Sequence, residues 1–89
     1  MDETPKPDIN RPAVDFLRAE LLTARTLSNI ALRSMSEEKR TRNQANARKA
    51  YDAILRFLPG SNLDVEQAAE IKSKLEELES DLRLLGEQI

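Results

Sequence analysis

Residues 63–89 read LDVEQAAEIKSKLEELESDLRLLGEQI. The apolar members Ala68, Ile71, Leu75, Leu78, Leu82, Leu85 and Ile89 alternate steps of three and four without a miss. On a helix that spacing draws one stripe, three heptads long. Asp64 stands where the first turn needs an acceptor for its free N–H groups, and Gln67 follows at capping-box spacing. Leu63 and Ala68 are placed as a hydrophobic staple across the same start. Gly86 marks the end, so the stretch predicts a helix over about 64–86. Such a stripe must lie on another apolar surface, which the rest of the chain has to supply.

Immediately upstream, Pro59-Gly60 stops whatever precedes it, because proline cannot continue a helical hydrogen-bond ladder. Before that stop, Asn43, Ala47, Ala50, Ile54 and Phe57 recur at helical spacing, with Tyr51 and Leu58 widening the stripe. A second helix is expected over about 37–58. Ser34-Met35-Ser36-Glu37-Glu38 reads as a stop and a restart. Either serine suits an N-cap, Ser34 and Glu37 have capping-box spacing, and two acids in a first turn complement the helix dipole. No glycine or proline enforces this break, so one continuous helix from 12 to 58 is the competing reading.

A further helix is expected over about 12–34. Its apolar residues are Phe16, Leu17, Leu21, Leu22, Ala24, Leu27, Ile30, Ala31 and Leu32, a stripe broad enough to face two neighbours. Pro12 suits the first turn. Residues 1–11 hold Pro5 and Pro7 among polar side chains with no periodicity and read as a disordered tail. Each helix would be roughly 32 Å long at 1.5 Å per residue. Matched lengths and short connections predict an all-α, up-down-up antiparallel three-helix bundle, one domain over 12–89.

Composition agrees and removes several chemistries. Charged residues make up 34% of the 89 and apolar ones 39%, with only Phe16, Tyr51 and Phe57 aromatic. That is the profile of long helix or coiled coil. No cysteine or histidine is present, which excludes disulfides, thiolate chemistry and imidazole general bases. The start, Met1-Asp2-Glu3-Thr4-Pro5, has no basic-then-apolar leader, and no apolar run reaches the roughly 20 residues a bilayer span needs. A cytoplasmic protein without membrane contact is expected.

The helix ending at Pro59 carries Ala47, Tyr51 and Pro59 at a spacing that resembles the second helix of a tetratricopeptide-type helical hairpin. The likeness covers residues 47–59. Ile54 stands where that family usually has alanine, which would hold the helices further apart, and the preceding helix lacks the family's aromatic and Leu-Gly pattern. The resemblance implies a helical hairpin of the protein-binding kind, related to small three-helix domains that hold partner helices in a groove.

Charge supplies the candidate functional surface. Net charge is −2, but Lys39, Arg40, Arg42, Arg48, Lys49 and Arg56 face only Asp52 across residues 39–56, while residues 64–87 hold eight acids against three bases. Arg42, Lys49 and Arg56 are seven apart and form one stripe about 21 Å long. Glu70, Glu77 and Asp81 form a flank of opposite sign on the third helix. Cations held on a rigid helix suit phosphates or an acidic protein surface. The plain alternative for both sets is a solvated face.

The low net charge, the lack of aromatics between the cations and the presence of Asp52 argue against nucleic acid. The acids lie away from the predicted seam, and no inward carboxylate pair or histidine accompanies them, so no metal site is expected. Asn43 falls on the predicted core face, either as a register device or half-exposed. Leu84 falls off the seam beside Glu77 and Asp81. No nucleophile–base pair or phosphate loop appears, and the serines have no histidine to activate them. Neither catalysis, a cofactor nor a small-molecule site is expected.

The residues therefore predict a non-catalytic protein-interaction or scaffold module that serves an unknown protein partner or self-associates. The candidate surface is Arg42, Lys49, Arg56, Glu70, Glu77 and Asp81. The alternative is a small nucleic-acid-associated protein that uses the basic stripe.

Overall fold

A computed structural model describes residues 10–89 and contains α1 (Arg11–Arg33), α2 (Glu37–Phe57) and α3 (Val65–Leu84), with a 3-10 turn at Leu58–Gly60. The expected tail lies outside the described residues except at its end. There Asn10 is the N-cap of α1 and Arg11 its first helical residue, so the helix starts earlier than Pro12. Proline fits the second helical position as well as the first, since both N–H groups lack an intrahelical partner.

The break between α1 and α2 forms without glycine or proline, and the single long helix is excluded. Ser34 leaves the helix in extended backbone at φ −76° and ψ 133°. Its Oγ accepts from the Ser36 N–H at 3.3 Å and donates to the Ser36 carbonyl at 3.1 Å. Ser36 is the N-cap of α2, its Oγ accepting from the Lys39 N–H at 3.2 Å. Two serines thus divide the work: one closes α1 and the other opens α2.

At the second connection the 3-10 turn carries the chain through Gly60, and the left-handed residue is Asn62 at φ 54°, a conformation asparagine tolerates. The Asp64–Gln67 capping box forms in both directions, at 2.8 and 3.0 Å. The far end of α3 closes as a Schellman motif, in which Gly86 sits at φ 103°. Its N–H donates to Arg83 and the Glu87 N–H to Leu82, at 3.0 and 2.9 Å. Helical geometry therefore stops at Leu84, two residues short of the sequence expectation.

Cross-helix pairs set the directions. Arg18 meets Glu70 and Arg25 meets Glu77, so α1 and α3 run parallel. Tyr51 meets Glu79 and Arg48 meets Glu87, so α2 runs against them. The bundle is up-down-up.

The core holds Leu17, Leu21, Ala24, Ala47, Ala50, Tyr51, Ile54, Ile71, Leu78 and Leu82, with Leu27, Leu58, Leu63, Leu75, Leu85 and Ile89 partly covered around it. The buried side of α1 is Val14, Leu17, Leu21, Ala24, Ser28 and Ala31, again alternating three and four. This seam is narrower than the broad stripe expected. Phe16, Leu22, Ile30 and Leu32 all stay exposed, Leu22 at 70%. Small residues line the α1/α2 contact: Ala24, Ser28 and Ala31 on one side, Ala47 and Ala50 on the other. They let the two helices meet over most of their length, whereas α2 and α3 touch sparsely. The Ser28 hydroxyl is buried there without a hydrogen-bond partner. Asn43 is half-buried and satisfies itself locally, its Nδ2 donating to the Lys39 carbonyl at 2.8 Å.

Candidate interaction surface

An α1/α2 hairpin has two faces, and α3 lies across one of them. Along that covered face the acidic flank of α3 reaches arginines of α1, with Glu70 and Asp81 partly covered and Glu77 still exposed. Arg18 donates through Nε and Nη2 to the two oxygens of Glu70, at 2.7 and 2.8 Å. One heptad further, Arg25 donates to Glu77 and, at 3.2 Å, to Asp81. Lys74 adds a contact to Glu70 at 3.2 Å. The Arg18 guanidinium first, then the Lys74 ammonium, hold the Glu70 carboxyl down at about 2. Asp81 keeps only 19% of its side-chain surface. The sequence reading placed Glu70, Glu77 and Asp81 on a solvent-facing flank; the structure pairs all three with arginines of α1, and of the three only Glu77 stays exposed.

A second polar cluster bridges the sparse α2/α3 contact. The Tyr51 hydroxyl donates to Glu79 at 2.7 Å, and Gln44 and Arg48 donate to Glu87 at 2.6 and 2.9 Å. Burial first, then the Glu79 carboxylate, pushes the Tyr51 hydroxyl up to about 12. Arg48 also holds Asp52 at 3.0 Å. Asp52, the one acid expected to dilute the basic stripe, is therefore engaged by the cation that also binds Glu87, just past the end of α3.

The opposite face of the hairpin stays open. Arg42, Lys49 and Arg56 are exposed there and make no ion pair among the described residues. Beside them runs a shallow groove of about 510 Å³. Glu20, Thr23 and Leu27 of α1 form one wall, while Asn46, Lys49, Ala50, Ala53 and Arg56 of α2 form the other. Arg42 continues the line one heptad toward the start of α2. Near the start of α1 and the end of α2, Phe16 and Phe57 pack together, their ring centroids 4.5 Å apart. Glu20 is half-buried on its wall and also unpaired among the described residues.

The six sequence-predicted residues thus separate into two sets. Three cations share one open face, and three acids are tied down on the other. Arg18 and Arg25, which sequence reading did not single out, make the difference. Their signal was available in the spacing: they stand seven apart, each one position beyond a seam residue of α1.

Among the described residues no group of acids is arranged to hold a metal ion, and no helix is long and apolar enough to cross a membrane. No family model, curated protein or solved structure matches the chain.

Proposed function

We propose that this chain is a non-catalytic helical protein-interaction module that works through the open α1/α2 face. The observation that carries it is the contrast in pairing. Among the described residues, cations at heptad spacing are matched with carboxylates where α3 covers the hairpin, whereas Arg42, Lys49 and Arg56 have no carboxylate partner on the open face, where Lys49 and Arg56 edge a groove. Rigid, preoriented charges beside a small-residue groove favour encounter and register more than raw affinity, which suits a docking module. Self-association by laying this stripe on the acidic flank of a second copy is disfavoured, since that flank would first have to release Arg18 and Arg25. The proposal includes a cytoplasmic setting, which fractionation of a tagged chain tests.

Site-specific photo-crosslinking in the source cell tests the reading. A crosslinker at Ala53, in the groove, is expected to yield a discrete protein adduct. The same group at Ser73, exposed on α3, is expected to yield none. Adducts at both positions, or at Ser73 alone, would remove the open face as the working surface. Adducts to nucleic acid at Ala53 would favour the alternative use of the basic stripe.

A further inference from the structure

The open face carries enough pattern to specify its occupant, given the preceding reading that this face is the one that works. We infer that it receives an acidic amphipathic helix from a partner protein, laid along the α1/α2 groove as a fourth helix, with carboxylates seven residues apart toward α2.

Three features of the molecule support this. First, the groove runs between two helices and has small side chains on its α2 wall, Ala50 and Ala53, with Thr23 and Leu27 opposite. Small residues at a helix contact let another backbone come close, as they do between α1 and α2 themselves. Second, the edge charges have the spacing of a helical neighbour. Lys49 and Arg56 are one heptad apart, as are Arg18 and Arg25. What meets Arg18 and Arg25 is α3, with Glu70 and Glu77 at the same spacing, Arg18 and Arg25 each pairing 52 residues away. The covered face therefore shows a pairing geometry that the open face lacks among the described residues. An incoming helix with the same acid spacing satisfies Arg42, Lys49 and Arg56 together.

Third, the opposite wall carries Glu20. A helix lying in the groove presents its other flank there, where a lysine or arginine would pair with that carboxylate. A nucleic-acid backbone tracking the cations would instead bring phosphates alongside Glu20 and be repelled by it. The groove thus calls for a helix with acids on one flank and a base on the other. A uniformly negative polymer fits it poorly.

The test uses the full chain and a defined probe. The probe is a lactam-stapled peptide with glutamates seven apart on one flank, a lysine on the other and an alanine/leucine seam between, its helicity confirmed by circular dichroism. Fluorescence anisotropy is expected to show binding that weakens about tenfold or more in the triple variant Arg42→Glu, Lys49→Glu, Arg56→Glu, since three surface ion pairs become three repulsions. A matching peptide with lysines in place of the glutamates is expected to ignore the natural chain and bind the triple variant. That exchange of preference cannot come from misfolding, and circular dichroism of the variant checks the fold independently.

The inference is overturned if the helical peptide does not bind, or if the triple variant binds it equally well. It is also overturned if a mixed-sequence oligonucleotide displaces the peptide, or if light scattering shows a dimer that the triple variant dissolves, which would make a second copy the occupant. A protein adduct at Ala53 without peptide binding would retain the interaction module and reject only the acidic helix.

Discussion

On the face of the hairpin that α3 covers, the cations end on carboxylates: Arg18 on Glu70, Arg25 on Glu77 and Asp81, Arg48 on Asp52 and Glu87. On the opposite face Arg42, Lys49 and Arg56 end on no carboxylate among the described residues, beside a groove of alanines and a lone Glu20. Both faces have cations at heptad intervals, and among the described residues only one has its counterpart carboxylates. The difference teaches that heptad charge spacing marks where a helix is to lie, whether that helix is covalently attached or not. Four measurements break or sharpen this comparison.

The largest expected effect is on the covered side. Leu78 is fully buried on α3, and Leu78→Ala should cost about 2–4 kcal/mol through lost transfer energy and a residual cavity. The exposed Leu22→Ala serves as its control and should change stability by less than about 0.5 kcal/mol. Equal denaturant midpoints for the two variants would mean that α3 is not seated as described.

Next comes the seam within the hairpin. Ala47 is 0% exposed between α1 and α2, so Ala47→Leu should overpack the contact and cost about 1–3 kcal/mol. Ala53→Leu, in the open groove, should leave the melting temperature nearly unchanged. A stable Ala47→Leu protein would show that the hairpin has room the structure does not.

Asp64→Ala removes the acceptor that starts the covering helix and should cost about 1 kcal/mol. Gln67→Ala removes the reciprocal bond, so the double variant should cost less than the two single effects combined. Full additivity in urea titrations would argue that the two side chains do not cap each other.

The smallest effect is a pH dependence confined to the covered face. Glu70 is held at about 2 against an ordinary 4.5. A carboxyl depressed in the folded state adds stability that is complete above 4.5 and is lost as pH falls toward 2. Glu70→Gln should therefore flatten the acid side of the stability profile, while Lys49→Gln should leave it as it is. Parallel acid profiles for natural chain and Glu70→Gln would mean that the Arg18–Glu70 pair does not persist in solution.

Most of the fold is legible in the residues, for reasons that differ by helix. α3 writes its seam in Leu and Ile and its start in Asp64 and Gln67, so pattern and chemistry agree. α1 conceals an equally regular seam, because Ala24, Ser28 and Ala31 carry little hydrophobic signal, while Phe16, Leu22, Ile30 and Leu32 suggest a broader one. The serine break was readable, but the choice of Ser36 over Ser34 depends on backbone geometry that spacing does not encode. The basic stripe was legible as a stripe. The fate of the acidic flank was not, since an up-down-up bundle can turn with either hand, and that hand decides which side of α1 receives α3. Only then do Arg18 and Arg25, rather than Arg42 and Lys49, meet the acids.

The three-residue link Ser34–Ser36 has a consequence in time. Closing so short a loop costs little chain entropy, and the first contacts it brings, between the end of α1 and the start of α2, are local in sequence, so the hairpin can zip up from there. α3 must instead find partners 52 residues away, at Arg18 and Arg25. The hairpin is therefore expected to assemble first and α3 to dock onto it afterwards. The groove edged by Lys49 and Arg56 belongs wholly to the early-forming part, so it exists before the bundle is complete.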